Sequence, residues 1–94
     1  MRSLTKEEKR LIDIIKPFIV SEETLNTNNG WGFGGAIKTV YRLNKDNILL
    51  HIGYACYRHL PSENFINLRQ NNAIIHEGIH DVKKYFRDTY HINI

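Results

Sequence analysis

The chain has 94 residues, a formal net charge of +3, and a composition that is 41% hydrophobic, 24% charged and 11% aromatic. A chain of this length buries a single small core, which excludes an enzyme with separate cofactor and substrate lobes. The apolar content and the mixture of charges exclude a disordered tail. We therefore expect residues 1–94 to form one domain.

The cellular compartment is predicted from features that the sequence lacks. Cys56 is the only cysteine, so the intrachain disulfides of small secreted domains cannot form. We find no apolar stretch typical of a signal peptide and no run approaching the ~20 residues that cross a bilayer. We expect a cytoplasmic protein with no membrane contact. The 13 isoleucines and 10 asparagines are typical of AT-rich genomes and of small phage proteins, for which the compartment would be the host cytoplasm.

The first predicted element is a helix that begins after Thr5. Glu8 follows Thr5 at the spacing of a capping box, and Pro17 predicts that the helix ends near Lys16. Apolar residues recur at helical intervals and are expected to face the core: Leu4, Leu11, Ile12, Ile15 and Phe18. Residues 21–24 are then expected to form a short turn, and residues 26–35 a flexible, glycine-rich loop.

A β-hairpin is predicted in the middle of the chain, with strands over residues 36–43 and 48–57 around a polar turn. Pairing Leu43 with Ile48 places one apolar side toward the core and leaves a more basic side facing solvent. The solvent-facing side carries Lys38, Val40, Arg42, Leu49, His51, Gly53, Ala55, Tyr57 and His59. Cys56 falls on the core side, which favours an inert thiol over a nucleophile.

The remaining residues are predicted to complete an α+β fold. Residues 65–69 form either a third strand or a helical turn, and Asn72 is expected to cap a helix over residues 73–90. Four apolar residues at helical spacing are expected to face the core: Ile75, Ile79, Val82 and Phe86. The predicted architecture is an N-terminal helix, an antiparallel hairpin with a possible third strand, and a C-terminal helix, with both helices on one sheet face.

The sharpest motif is His76-Glu77-Gly78-Ile79-His80, an H-E-x-x-H pattern inside that predicted helix. Two histidines four residues apart on one helix face can bind a single zinc ion, and the glutamate can activate a bound water. In this motif, and in the hairpin that precedes it, the chain resembles the zincin family of zinc metallopeptidases. The resemblance implies that His76 and His80 are Zn²⁺ ligands and that Glu77 is the general base.

The third zinc ligand would be His91, with Asp88 and His51 as alternatives. His91 lies about 16 Å beyond His80 along a continuous helix, so it could bind only if the helix breaks. The competing interpretation is a stripe that faces solvent or a partner, formed by His76, His80, Lys83, Arg87 and His91.

The glycine-rich segment and the basic hairpin indicate a binding surface instead. Residues 30–35 match G-x-G-x-x-G but precede a strand, which is the wrong context for a dinucleotide fingerprint. Trp31 and Phe33 could anchor a protein partner or stack on a base, or Trp31 could cover the core edge. The excess positive charge lies in residues 31–60, where it could steer an anionic partner or serve only solubility. His51, Tyr57 and His59 would also permit acid–base cleavage of RNA.

Two functions of different classes follow from these features. The first is a non-catalytic accessory or inhibitor protein, of phage or mobile-element type, that needs no cofactor. It would dock on nucleic acid or on a protein that handles nucleic acid, through Trp31, Phe33, Lys38, Arg42, His51, Tyr57 and His59. The second is a minimal zinc hydrolase that uses His76, Glu77 and His80. The identity of the partner or substrate and the oligomeric state stay open.

Overall fold

The computed structural model describes residues 4–27, 33–57 and 63–94. Helix α1 (Lys6–Ile15) and a short 3-10 turn (Lys16–Phe18) precede the sheet, and helix α2 (Ile79–Tyr90) follows it. The strands are β1 (Ile19–Thr27), β2 (Phe33–Leu43), β3 (Leu49–Tyr57), β4 (Glu63–Gln70) and β5 (Ala73–Glu77). They form one antiparallel sheet in the order β1-β2-β3-β4-β5. The predicted α+β class is confirmed. In the described part of the chain, neither helix has the length and apolar run of a membrane span.

The N-terminal helix has the predicted cap and the predicted end. The Thr5 hydroxyl accepts a hydrogen bond from the Glu8 backbone N–H at 3.1 Å, and the Glu8 carboxylate accepts one from the Thr5 N–H at 2.9 Å. The helix ends at Ile15, and Pro17 lies in the 3-10 turn that follows, because proline cannot continue the hydrogen-bonding pattern of a helix interior. The apolar stripe of α1 reaches the core as expected, with Leu11 and Ile15 almost fully buried.

Both helices pack on one face of the sheet, which we call the covered face. Its strand residues are Tyr41, Leu43, Leu50, Ile52, Ile66 and Leu68. Together with Ile48, just before β3, they share one core with Leu11, Ile15, Val82, Phe86 and Tyr90 of the helices. The hairpin pairs as predicted, since the Leu43 N–H donates to the Ile48 carbonyl at 3.0 Å. Strand β4 contains the third strand that residues 65–69 could form. The predicted core side of the hairpin is therefore confirmed for its described residues.

The strand β1 lies where the sequence indicates a turn and the beginning of a loop. Glu22 and Glu23 are poor strand formers, but β1 is an edge strand, where exposed charges are well tolerated. Its pairing with β2, from Ile19 opposite Leu43 to residue 27 opposite residue 36, is a long-range interaction that local propensity does not reveal. Of the loop expected over residues 26–35, residues 26–27 belong to β1 and residues 33–35 to β2, and residues 28–32 lie outside the described residues.

The helix predicted over residues 73–90 is wrong in its first third. Asn71 and Asn72 have positive φ angles of 52° and 67°, which makes them the central residues of a tight hairpin loop between β4 and β5. Asparagine tolerates this backbone, so Asn72 turns the chain instead of capping a helix. Gly78, with φ 91° and ψ 155°, then separates β5 from α2 in a conformation that essentially only glycine adopts. Ile75, expected in the core, lies on β5 and is 38% exposed.

Candidate functional site

The sheet has a second face, opposite the covered face, on which neither described helix packs. We call it the open face. The register of the three central strands places on it Lys38, Val40, Arg42, Leu49, His51, Gly53, Phe65, Asn67 and Arg69. The outer strands add Ser21, Glu23, Leu25, Ile74 and Glu77.

The positive charge of the open face lies on its central strands. Lys38, Arg42 and Arg69 stand on β2 and β4, whereas the carboxylates Glu23 and Glu77 stand on the outer strands. Among the described residues, none of the three cations lies within 4.0 Å of a carboxylate oxygen. The centre of the face therefore has a positive potential that can attract an anionic partner.

Apolar side chains lie between these charges. Leu25, Val40, Leu49 and Phe65 are half-buried, and Ile74 is 48% exposed. A Cβ atom built on Gly53 would lie 2.7 Å from the Phe65 ring and 2.5 Å from a β2 carbonyl oxygen, so the glycine lets this ring approach β3 closely. A mixture of apolar and cationic side chains is typical of the surfaces with which proteins bind one another.

His51 lies at the centre of the open face, between Val40 and Asn67 on the neighbouring strands. It is on the predicted side of the hairpin, but it is only 7% exposed rather than solvent-facing. Neither ring nitrogen has a hydrogen-bond partner among the described residues. Burial, together with the charges of Arg69 and Lys38, lowers the pKa of His51 to about 4. The imidazole is therefore neutral at pH 7, and both of its nitrogens are buried without a partner from the described residues.

The structure describes only some of the other residues that the sequence predicts to contact a partner. Lys38 and Arg42 lie on the open face, the first half-buried and the second exposed. Phe33 is paired with Tyr57 at the ends of β2 and β3, so Phe33 belongs to a strand and not to the expected loop. Trp31 and His59 lie outside the described residues, and their roles stay predictions.

Sequence reasoning missed the contribution of β4 to the open face. Asn67 is 3% exposed, and its side-chain oxygen accepts a hydrogen bond from Arg69 Nε at 3.1 Å. Phe65 is the third residue that β4 contributes to the open face, together with Asn67 and Arg69. The alternation of Phe65, Asn67 and Arg69 with Ile66 and Leu68 was the available signal, but a five-residue segment also fits a helical turn.

The H-E-x-x-H motif does not lie on one helix, because the chain passes from strand to helix at Gly78. His76 and Glu77 end β5, and His80 is the second residue of α2. The Nδ1 atom of His76 lies 3.1 Å from a carboxylate oxygen of Asp81. The expectation of a helical motif is therefore wrong, and the resemblance to zincins loses the element that would place both imidazoles on one zinc ion.

The proposed third ligands are also dispersed. Helix α2 ends at Tyr90, and His91 follows in a left-handed conformation, at the end of α2 remote from His80; twelve helical residues span about 18 Å. Asp88 accepts a hydrogen bond from Lys84 at 3.4 Å, and His51 is on the open face. Within residues 4–27, 33–57 and 63–94, no three His, Cys, Asp or Glu side chains form a group that could hold a metal ion.

A groove of about 820 Å³ lies where the N-termini of α1 and α2 meet β4. Its buried carboxylate, Glu8, is 4% exposed and accepts hydrogen bonds from the Thr5 N–H at 2.9 Å and from the Asn64 side chain at 3.4 Å. These contacts cap α1 and connect it to β4. The carboxylate therefore has a structural role at this groove.

Comparison of the chain with protein-family models, with curated proteins and with solved structures gives no significant match. Among the described residues, those of the open face form the best candidate for a binding site. They include cations that have no carboxylate partner and a buried imidazole that has no hydrogen bond within the described part of the chain.

Proposed function

We propose that this protein is a non-catalytic binding module that docks on a partner protein through the centre of the open face. One observation carries the proposal. Cationic and half-buried apolar side chains lie side by side on a sheet face that neither described helix covers, and the cations have no carboxylate partner in the described part of the chain. Apolar contact would supply affinity, while Lys38, Arg42 and Arg69 would select a partner of opposite charge.

The composition of the open face favours an acidic protein surface over nucleic acid. Binding to nucleic acid depends on many cation–phosphate contacts, whereas the described open face offers three cations, confined to its central strands between Glu23 and Glu77. Leu25, Val40 and Leu49 instead offer apolar area that a protein can cover. The sequence-based expectation, of nucleic acid or a protein that handles it, narrows here to a protein partner with an acidic docking surface.

A paired charge reversal tests this function. Lys38→Glu with Arg42→Glu reverses two charges on the open face, and Lys9→Glu with Arg10→Glu makes the same change on exposed positions of α1. Wild-type protein and both variants are immobilised, and nuclease-treated extract of cells that express the chain is passed over each. We expect a protein that wild type and the α1 variant retain, and that the open-face variant retains roughly tenfold less. All three should melt within about 3 °C of one another, because surface charge changes have small effects on stability.

Equal retention by the open-face variant would refute the docking surface. Retention of nucleic acid in untreated extract, with affinity falling steeply as salt rises, would refute the assignment to a protein partner.

A further inference from the structure

We propose that Lys38, His51 and Arg69 form a carboxylate-binding subsite at the centre of the open face, which takes an Asp or Glu side chain of the partner. This inference rests on the proposed function and names the group that the docking surface recognises. His51 stands opposite Val40 and Asn67, and Lys38 and Arg69 occupy diagonal positions on either side of it. Diagonal neighbours in a sheet are about 7–8 Å apart, a distance that long side chains bridge.

The unpartnered imidazole is the first reason to infer a ligand. Buried polar groups are nearly always hydrogen-bonded, and an unsatisfied group destabilises the fold. His51 is 7% exposed, and neither of its ring nitrogens has a partner among the described residues. A neutral imidazole carries one N–H donor. Both ring nitrogens are inaccessible in the free protein, so docking would have to expose the donor, and a partner carboxylate would then supply an acceptor that none of the described residues provides.

The surrounding charges are the second reason. Lys38 and Arg69 both act on the imidazole electrostatically and disfavour its protonation. Arg69 donates to Asn67 through Nε, which positions the guanidinium. Its terminal N–H groups have no acceptor among the described residues and can donate to a carboxylate. The negative charge of that carboxylate would be attracted by both cations at once.

Other charged groups of the open face lie further from the imidazole or point to solvent. Arg42 takes the remaining diagonal position on β2 and is exposed. Glu23 on β1 and Glu77 on β5 share the cross-strand row of His51 but stand two strands away from it. Neither glutamate is therefore an immediate neighbour that could take the place of the partner carboxylate.

Filling the subsite should change the protonation of His51. In the free protein its pKa is about 4, because the ring is buried beside two cations. A carboxylate in contact with the ring favours the imidazolium and raises that pKa. Between the free and bound values the complex holds more protons than the free protein, so affinity increases as pH falls through this window.

The test uses the full chain and a blocked tetraglutamate peptide as probe, with tetraglutamine and tetrathymidylate as comparisons. The ring nitrogens of His51 are observed by NMR from pH 3 to 8, a range that includes the free pKa of about 4. Peptide affinities are compared above pH 5, where the peptide carboxylates stay mostly ionised. We expect saturable shifts with tetraglutamate, and a His51 pKa that rises by about one unit or more at saturation. His51→Leu should bind the peptide roughly fivefold or more weakly, and His51→Gln, which keeps an N–H donor, should recover part of the loss. Both variants are first shown to be folded by their thermal transitions.

Three outcomes would overturn the subsite. Wild-type protein could bind tetraglutamate no better than tetraglutamine. His51→Leu could bind tetraglutamate as tightly as wild type while the double variant Lys38→Gln with Arg69→Gln binds it more weakly. That result would remove His51 from the site. Tetrathymidylate could displace the peptide, which makes the ligand a phosphate. Partner retention in the charge-reversal experiment is measured separately, so a failure of the subsite is distinguishable from a failure of the docking surface.

Discussion

The two faces of the sheet are formed by the same strands, but only one of them is completed within the described chain. On the covered face, Leu50 and Leu68 are fully buried beneath Phe86 and the other core residues of the helices. On the open face, the corresponding central position is occupied by His51, which is buried without hydrogen bonds from described residues. The covered face therefore supplies stability, and the open face retains polar groups and charges that a partner can satisfy.

The largest expected effect is the loss of an aromatic ring from the covered face. Phe86 is 0% exposed, so Phe86→Ala removes buried apolar surface and leaves a cavity, at a cost of about 3–5 kcal/mol in the free energy of unfolding. Leu49→Ala on the open face truncates a half-buried side chain and should cost about 1 kcal/mol. Urea unfolding of both variants measures the difference. Equal losses would contradict the division of roles between the faces.

A smaller effect is expected in the pH dependence of stability. The pKa of His51 is about 4 in the folded protein and 6.5 in the unfolded chain. As pH falls between these values, the unfolded chain takes up a proton that the folded protein does not. The free energy of unfolding therefore falls in this window, by at most about 1.4 kcal/mol per pH unit from this residue, with no further loss from it at lower pH.

The variant His51→Leu isolates this contribution, because it removes the titrating ring and its two unpartnered nitrogens. At pH 7 we expect it to be as stable as wild type or more so. The difference between the two stability curves should grow in favour of the variant as pH falls from 6.5 toward 4. Parallel curves over this range would show that His51 titrates normally, and that its ring is not a buried neutral imidazole.

The sequence predicts the fold best where the signals are local. The capping box of Thr5 and Glu8 and the stop at Pro17 define α1, and the pairing of Leu43 with Ile48 follows from alternation around a short turn. The local signal is ambiguous at Asn72, because asparagine is favoured both as a helix N-cap and in hairpin turns. The spacing of apolar residues then predicts a helix that begins at residue 73, where the structure has β5. Strand β1 is formed through its pairing with β2, which no local pattern reports.

The candidate site was predictable only in its hairpin part, on β2 and β3. Lys38 and Arg42 follow from the hairpin register, whereas Asn67 and Arg69 depend on β4 being a strand. The burial of His51 depends on the side chains that neighbouring strands bring beside it, so a sequence shows its side of the hairpin but not its environment. The H-E-x-x-H motif fails as a predictor for a different reason. The motif indicates a zinc site only when its residues lie on one helix, and here they lie on a strand and a helix.

The most direct test of the docking surface is site-specific photocrosslinking in cells that express the chain. Ile74 is 48% exposed and stands beside Arg69 on the open face, so a benzophenone amino acid there would contact a docked partner. Asp13, an exposed residue of α1, is the matched control position. We predict a protein adduct from position 74 that disappears when Lys38→Glu and Arg42→Glu are added, and no such adduct from position 13. An adduct of equal yield from position 13, or one at position 74 that survives the charge reversal, would contradict the assignment of the open face.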